Sequence, residues 1–337
     1  MKAVLFDKPH SLNVVSRDLR TLRNGEILVK VETCGICGTD LHIVEGTSRS
    51  TPPVILGHEY AGIVADAGNV RNLVPGQKIA VDPNISCGVC YYCRRGLINL
   101  CENLLALGVD IDGGMAEHCI IPWKQAYAIP DEMSLRQSAF IEPLSCAVHG
   151  IDIAQVKHGD TVVIVGAGPI GLLMLQLAIH AGAARVIVVE PDKGKRDLAH
   201  ALGATAALDP GDGDVESAVR DLTGVGADVV IECAGKTETC ALAIRLARRG
   251  GRVELFGVCP TGRTIPVEPH QVYFRELSIV GSYVNPHTFD RAISLLHSGV
   301  VTVDTFPVHL FPLEGIHDAL RIQREGQSVK SILQPQL

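Results

Sequence analysis

The chain has 337 residues, a net charge of −7 at pH 7, 47% hydrophobic residues and 4% aromatic residues. This length allows about two domains with substantial cores, and because no basic tract is present we expect neither nucleic acid nor a membrane as a partner. Cysteine occurs 11 times, and Asp7 and Lys8 stand where an export signal needs an apolar run, which together predict a reducing, cytoplasmic location.

Up to about residue 130 the sequence consists of short apolar runs separated by glycine and proline turns. The clearest runs are residues 27–31, 62–65 and 78–81. Runs of this length between turn residues are typical of strands. The first part of the chain is therefore predicted to be an all-β domain.

Two segments of this domain carry possible ligands of a reactive metal. They are Cys34-Gly-Ile-Cys37-Gly-Thr39-Asp40-Leu-His42 and Gly57-His58-Glu59. Cysteine, histidine and glutamate are ligands with which proteins hold catalytic zinc while one coordination position stays open. Each residue alone is unremarkable, since a single histidine or glutamate is usually a solvated or hydrogen-bonded polar group. Their joint occurrence predicts a catalytic metal site.

Four cysteines follow with the spacing Cys-x2-Cys-x2-Cys-x7-Cys. They are Cys87, Cys90, Cys93 and Cys101. Thiolates two residues apart can converge on one ion, and a shell of four sulfurs leaves no position for a substrate, so we predict a structural zinc site. The alternatives are disulfides, which need an oxidising compartment, an iron–sulfur centre, or cysteines that are close together by chance.

Residues 161–184 contain no Asp, Glu, Lys or Arg, and a stretch of this length could span a bilayer. Glycine and proline interrupt it, and β-branched residues begin it, so we predict a buried strand, a tight turn and a helix instead. The turn reads Gly166-Ala-Gly168-Pro169-Ile170-Gly171. In dinucleotide-binding proteins such glycines permit the turn, admit a pyrophosphate and let helix and strand pack closely. A glycine-rich turn in another kind of α/β sheet is the alternative.

The predicted strand after this turn ends in Glu190. A carboxylate there can accept both ribose hydroxyls of NAD and repel the 2′-phosphate of NADP, so we predict NAD. Lys193, Lys195 and Arg196 follow closely. These cations either serve a phosphate instead, with Arg196 as a cofactor-binding residue, or are solvated at the start of a helix.

After about residue 160, apolar runs alternate with segments of helical length. The runs are residues 162–165, 186–189, 229–231, 253–256 and 277–280. This alternation predicts a parallel, doubly wound sheet. The C-terminal part, with a helix-like 289–296 and then 301–310, breaks the alternation, and we expect it to return to the first domain.

Together with Ile141-Glu142-Pro143-Leu144, these motifs resemble the zinc-dependent medium-chain dehydrogenase/reductase family, and within it the polyol (sorbitol/arabinitol-type) dehydrogenases. The resemblance covers nearly the whole chain. It implies an α/β fold in which a GroES-like β-rich catalytic domain (1–147) carries both zinc sites. A Rossmann domain (148–282) then binds NAD, and residues 283–337 return to the catalytic domain. Related enzymes are homodimers or homotetramers that pair through the strand matching residues 277–281.

The resemblance also implies the ligands of the catalytic zinc. By it Cys37, His58 and Glu59 bind the metal. Glu142 supplies a carboxylate that binds zinc directly or through its water. Cys146, four residues on, is the alternative to Glu142 if the intervening segment is helical.

Neighbouring residues take supporting roles in the family. Asp40 accepts a hydrogen bond from the second nitrogen of His58 and fixes its tautomer. Thr39 hydrogen-bonds the substrate hydroxyl, and Cys34 only packs. His42 passes the proton towards solvent or is an ordinary surface histidine.

The implied reaction is hydride transfer between NAD and a secondary alcohol of a polyol, alditol to ketose, with one catalytic and one structural zinc per chain. Ile43, Val284 and Asn285 stand where sorbitol dehydrogenases carry a tyrosine and an Arg-Tyr pair, so the particular polyol stays open. L-Threonine 3-dehydrogenases share the CGICGTD and GHE motifs, which makes an amino alcohol the nearest alternative. A non-catalytic, zinc-stabilised NAD-binding protein would have lost a reactive ligand, and none is lost.

Overall fold

The computed structural model describes residues 1–337 and divides into two compact units. Unit 1 comprises Met1–Pro143, Pro286–Ser298 and Thr302–Leu337, and unit 2 comprises Leu144–Asn285 and Gly299–Val301. The first division falls inside a helix, Ile141–Ala154. The boundaries proposed from the sequence, after residues 147 and 282, lie a few residues from these divisions. The first was hard to locate because the helix runs through it without a break in composition.

Eighteen strands and ten helices make up the two units, with short 3₁₀ turns between some of them. The strands are β1 (Lys2–Lys8), β2 (Ser11–Ser16), β3 (Glu26–Gly35), β4 (Val54–Ile55), β5 (Glu59–Asp66), β6 (Lys78–Val81), β7 (Asn84–Ile85), β8 (Leu105–Ala106), β9 (His118–Pro122), β10 (Ala126–Ala128), β11 (Thr161–Val165), β12 (Arg185–Val189), β13 (Ala206–Leu208), β14 (Ala227–Glu232), β15 (Ala247–Leu255), β16 (Ser278–Gly281), β17 (Val308–Phe311) and β18 (Lys330–Leu333). The helices are α1 (Gly38–Val44), α2 (Leu135–Ser138), α3 (Ile141–Ala154), α4 (Pro169–His180), α5 (Lys193–Ala201), α6 (Val215–Thr223), α7 (Thr237–Leu246), α8 (Pro269–Phe274), α9 (Phe289–His297) and α10 (Ile316–Arg324).

Unit 1 is organised around β3. Its sheet has the order β10-β6-β5-β3-β18-β17, and β9 also pairs with β3. Alternate residues of β3, Ile27, Val29 and Val31, are fully buried, as expected for a strand whose side chains point to the two faces in turn. The unit is rich in strands, but α1, α2, α9 and α10 accompany them, so the expectation of an all-β domain is corrected to a β-rich one.

Unit 2 contains a six-stranded parallel sheet in the order β13-β12-β11-β14-β15-β16. The prediction of a parallel, doubly wound sheet is confirmed. Chain order reverses between β11 and β14, and ligands bind sheets of this kind in the crevice at that point. The charge-free stretch 161–184 forms β11 and the twelve-residue α4, and no helix of the protein is long and apolar enough to cross a bilayer.

The sequence was least informative in four places. The hairpin of β1 and β2 was not predicted, nor was β13, whose three residues Ala-Ala-Leu make no strong apolar run. Residues 301–310 become a strand only from Val308. The final pair α10 and β18 was also missed, although β18 pairs with the central β3.

Candidate functional site

Three of the proposed zinc ligands converge in unit 1. One ligand atom from each of Cys37, His58 and Glu59 lies within 4.8 Å of the other two. Glu59 begins β5, and Cys37 follows β3 by two residues. Because β3 and β5 pair in antiparallel register with Gly35 opposite Glu59, the sheet itself brings these segments together.

Asp40 supports this group from α1, which Cys37 caps. Its Oδ2 accepts a hydrogen bond from the backbone N–H of Cys37 at 2.8 Å, and its Oδ1 lies 3.6 Å from Nδ1 of His58. The carboxylate is fully buried. The Asp40 carboxylate thus lies beside the histidine ring but beyond hydrogen-bond distance, so the hydrogen bond that the family resemblance implies stays a prediction.

The electrostatics of the group favour a cation. Burial disfavours the protonated form of His58, yet Asp40 and Cys37 outweigh that effect and raise the pKa of His58 well above its usual range. Oδ1 of Asp40 and Nδ1 of His58 are both buried without a hydrogen-bond partner. One thiol, one imidazole and one carboxylate form a donor set that fits zinc and leaves a coordination position open.

Sequence reasoning missed Lys330, which lies beside these ligands. Lys330 is in β18 and forms an ion pair with Oε2 of Glu59, and both residues are only 2% exposed. Burial lowers the pKa of Lys330, but the negative charges of Glu59, Cys37 and Glu142 outweigh burial and raise it above its usual value. The lysine is therefore charged and balances part of the negative charge of the group.

Gly35 makes room for this ion pair. In the sheet it lies in β3 between Glu59 of β5 and Ile332 of β18. A Cβ at this position would overlap Oε2 of Glu59 and stand 2.8 Å from Cε of Lys330. The one sequence signal for Lys330 was a lysine inside the strand-like run 329–333.

Glu142 lies outside the group of three. It is 7% exposed and stands in the first turn of α3. Its charge contributes to the raised pKa of Lys330, so it is within electrostatic reach of the same ion pair. Cys146 lies on this helix as well, which meets the condition under which it shares a face with Glu142.

Thr39 and His42 both lie on α1, three residues apart and partly buried. Residues three apart share a helix face. Nδ1 of His42 lies 3.4 Å from Oγ1 of Thr47. Cys34, in contrast, is fully buried in β3, and burial together with Asp40 raises the pKa of its thiol well above the usual range.

The four cysteines of residues 87–101 also converge, with each sulfur within 4.8 Å of the other three. The backbone N–H groups of Cys87 and Asn103 donate to Sγ of Cys101 at 3.2 and 3.4 Å. Hydrogen bonds from the backbone of Val89 and Cys90 lower the pKa of Cys87 to about 6. Backbone donors that stabilise thiolates suit a cation with four sulfur ligands, for which zinc is the fitting ion.

In unit 2 the glycine-rich turn connects β11 to α4. Gly168 caps the helix and Pro169 is its first residue, followed by Ile170. A Cβ on Gly171 would overlap the carbonyl oxygen of Gly166, so only glycine lets the helix start so close to the strand. The open amides at this helix start can accept an anion such as a pyrophosphate.

Glu190 follows β12 and is 7% exposed. Its Oε2 accepts from the backbone N–H of Ala167 at 2.7 Å, and its Oε1 accepts from that of Asp192 at 3.0 Å. Each carboxylate oxygen can accept more than one hydrogen bond, so Glu190 ties the glycine-rich turn to β12 and still has acceptor capacity for a ribose.

Arg196 is not a free cation at this site. It forms an ion pair with Asp209 at 2.8 Å and donates to the carbonyl oxygens of Glu190 and Pro191. Both expectations from the sequence, a phosphate ligand or a solvated residue, missed these contacts, because Asp209 lies thirteen residues away in the chain with no pattern to connect them. Lys193 does remain exposed, paired with Asp197.

Two family models match the chain: that of alcohol dehydrogenase GroES-like domains over residues 23–131 and that of zinc-binding dehydrogenases over residues 169–298. D-Arabinitol dehydrogenase 1 of Uromyces fabae is 33% identical over 99% of this chain and 97% of its own. L-Threonine 3-dehydrogenase of Pyrococcus horikoshii is 36% identical over 98% of each chain. A protein from Sinorhizobium meliloti, solved with NADP bound, matches with a TM-score of 0.96 at 44% identity over 99% of each chain.

Proposed function

The chain belongs to the zinc-dependent medium-chain dehydrogenase/reductase family, and from that premise we propose that it oxidises a secondary alcohol of a polyol to the ketone with NAD+. The reverse reaction is ketose reduction. The observation that carries this proposal is the convergence of Cys37, His58 and Glu59 next to Asp40. The similarity to an arabinitol dehydrogenase supports a polyol as the substrate.

When bound, zinc supplies the Lewis acidity that eases loss of the alcohol proton, and NAD+ accepts the hydride. The protein holds and orients the reacting groups. Cys37, His58 and Glu59 hold the metal, while Asp40 keeps the imidazole of His58 in one orientation. Glu142 supplies a further carboxylate to the metal or to its water.

The proton of the alcohol needs a route to solvent. Thr39 hydrogen-bonds the substrate hydroxyl and takes part in removing its proton. His42, one turn further along α1, passes the proton outward, a role for which histidine is suited because its imidazole can both accept and donate a proton.

For the cofactor we propose NAD in preference to NADP. Glu190 provides a buried carboxylate at the end of β12, which would repel a 2′-phosphate, and Arg196, one of the cations that could neutralise such a phosphate, is engaged by Asp209. Equilibrium binding of the two cofactors tests this choice, with Glu190→Gln as the variant and Glu238→Gln, an exposed residue of the same unit, as the control. Tighter binding of NADP by the unaltered protein would contradict it.

We further propose two zinc ions per chain, a catalytic one and a structural one at Cys87, Cys90, Cys93 and Cys101. We also propose a cytoplasmic homo-oligomer, dimer or homotetramer, that pairs through the edge strand β16. Metal analysis of the purified protein should give two zinc ions per chain. Sedimentation should give a dimer or tetramer, and a monomer would contradict the pairing.

The substrate is tested by following NADH absorbance with pentitols, hexitols, tetritols, L-threonine and simple secondary alcohols, with and without a chelator. Activity on one polyol group that is lost on chelation is the expected result. Activity confined to L-threonine would instead favour amino alcohol oxidation. The similarity to an L-threonine 3-dehydrogenase supports this second candidate. Glu142→Gln should reduce turnover, whereas Cys146→Ser, its matched control on α3, should not.

A further inference from the structure

A large cleft in unit 2 lies at the N-terminal ends of the strands of the parallel sheet, whereas the glycine-rich turn lies at their C-terminal ends. Its volume is about 1050 Å³, and its lining includes residues 224–225, 247–249, 266–268, 270–272 and 274–275. These segments precede or begin β14, β15 and β16, whereas Gly166 and Glu190 follow the ends of β11 and β12. The cleft and the proposed cofactor site are therefore separated by the length of the strands, about 15 Å.

The cleft concentrates positive charge in a protein that is negative as a whole. Its charged lining residues are Arg220, Arg245, Arg248, Arg249 and Arg275, together with Glu216 and Glu268. The chain carries a net charge of −7, so this excess of arginine opposes the general charge of the protein. Clefts lined by one sign of charge raise the local concentration of ligands of the opposite sign.

Three of the arginines have acidic partners. Arg248 pairs with Asp228 at 2.6 Å. Arg220 and Arg245 share one carboxylate, that of Glu216, at 2.9 and 3.4 Å. The single charge of Glu216 therefore leaves these two guanidinium groups only partly neutralised.

Arg249 and Arg275 form no ion pair. Arg275 donates to the backbone carbonyl of Ala247, and the guanidinium of Arg249 lies 5.1 Å from the ring centre of Phe274. Burial lowers the pKa of Arg275, and the positive charges of Arg220 and Arg249 lower it further. Glu216 opposes these effects in part, but neither Arg249 nor Arg275 has a carboxylate of its own at ion-pair distance, so five arginines line a cleft with only two glutamates.

We propose that this cleft binds a small organic molecule with two or more adjacent phosphate groups. The planar fork of each guanidinium matches phosphate oxygens, and arginine is the preferred partner of phosphate for this reason. The volume exceeds what one inorganic phosphate fills and suits a ligand of nucleotide size. The exposed lining side chains of Phe274 and Val225 provide an apolar surface for the organic part.

Equilibrium dialysis of the full chain with radiolabelled pyrophosphate tests this proposal. Saturating NAD is present so that the glycine-rich turn is occupied, and zinc content is measured in every sample to detect chelation. Arg249→Gln, Arg275→Gln and the double variant should each weaken binding, the double variant by about tenfold or more because two charge-assisted hydrogen-bonding groups are lost. Arg263→Gln, an exposed arginine outside the lining, should bind as the unaltered protein does.

A variant with the opposite expectation guards against a general loss of structure. Glu216→Gln frees Arg220 and Arg245 and should tighten pyrophosphate binding, while NAD binding by all variants reports that unit 2 is folded. Absence of pyrophosphate binding, or equal binding by the double variant and Arg263→Gln, overturns the proposal. A change of sedimentation coefficient in the double variant without any pyrophosphate binding also overturns it, and assigns the cleft to a contact between copies of the chain.

Discussion

The two groups of metal-ligand side chains in unit 1 differ in how the chain assembles them. The cysteine quartet comes from one loop, residues 87–101, and offers four identical ligands. The group of Cys37, His58 and Glu59, here called the mixed group, offers three different ligands, which the pairing of β3 with β5 brings together. Its neighbour Lys330 is 271 positions (330 − 59) from Glu59 in the sequence. In both groups the ligands can be recognised from short segments of sequence. The charge balance of the mixed group, in contrast, depends on Lys330, which only the pairing of distant strands brings to Glu59.

The largest effect should come from the mixed group. Cys37→Ser replaces a thiolate by a weaker, neutral ligand of zinc, so turnover should fall below detection while NAD binding changes little. Steady-state kinetics and NAD titration measure the two properties. Cys34→Ser, three residues earlier in the chain, is the matched control and should retain zinc at both sites. If Cys37→Ser still turned over, the assignment of the reactive group would be wrong.

The quartet should behave differently. Cys90→Ser should remove one zinc per chain and lower the melting temperature, because structural zinc contributes to folding. Turnover measured well below that temperature should persist. A loss of activity as complete as that of Cys37→Ser would show that the two groups do not act independently, and the comparison between them would fail.

Lys330 tests whether the mixed group depends on distant charge. Lys330→Met leaves Glu59 buried without its partner, so the free energy of unfolding should fall by about 3–5 kcal/mol. Urea denaturation measures it. Lys2→Met removes the exposed ion pair with Glu314 and should change stability little. Equal effects of the two variants would mean that Glu59 is not compensated by Lys330.

Glu254 in β15 is a buried carboxyl that forms no ion pair, in contrast to Glu59, although the charge of Arg252 acts on it. Neither of its oxygens has a hydrogen-bond partner, and burial raises its pKa to about 8 from an ordinary value of 4.5. The folded state therefore keeps a proton that the unfolded chain releases, and this carboxyl reduces stability as pH rises from 4.5 to 8. Glu254→Gln should remove that loss, up to about 4 kcal/mol at pH 8.

Unfolding experiments between pH 5 and pH 8 check this prediction. The exposed Glu132→Gln variant should keep the slope of the unaltered protein. An unchanged slope in Glu254→Gln would show that the carboxyl ionises normally in the folded state.

The smallest expected effect concerns Asp40. Asp40→Asn keeps the shape of the side chain but removes the charge that faces His58, so zinc affinity at the mixed group should fall by about 10- to 100-fold. Competition with a chelator measures this affinity, and the affinity of the quartet should stay the same. The exposed Asp131→Asn variant serves as control. Equal losses at both groups would contradict a local role for Asp40.

The sequence predicted those parts of the molecule that local pattern determines. The strands of the parallel sheet follow from runs such as 162–165, and the quartet follows from its spacing. Cys37, His58 and Glu59 were found because each lies in a short motif. Each of these features depends on residues close together in the chain.

The remainder depends on pairing between distant segments. Lys330 escaped prediction because nothing near it in the sequence marks β18 as the neighbour of β3. Arg196 was taken for a candidate phosphate ligand because its partner Asp209 cannot be read from spacing. The hairpin of β1 and β2 was overlooked because its strands have mixed polarity, with burial that alternates only in part.

The position of β18 near the C-terminus affects the order in which the two groups of metal ligands are completed during synthesis. A chain emerging from the ribosome exposes Cys87 to Cys101 and can close that loop around a metal while synthesis continues, since the loop needs no later residue. Glu59 receives its counter-charge only when β18 joins β3, after all of unit 2 has been synthesised. The reactive group is thus completed late in biogenesis, after the parallel sheet that unit 2 provides.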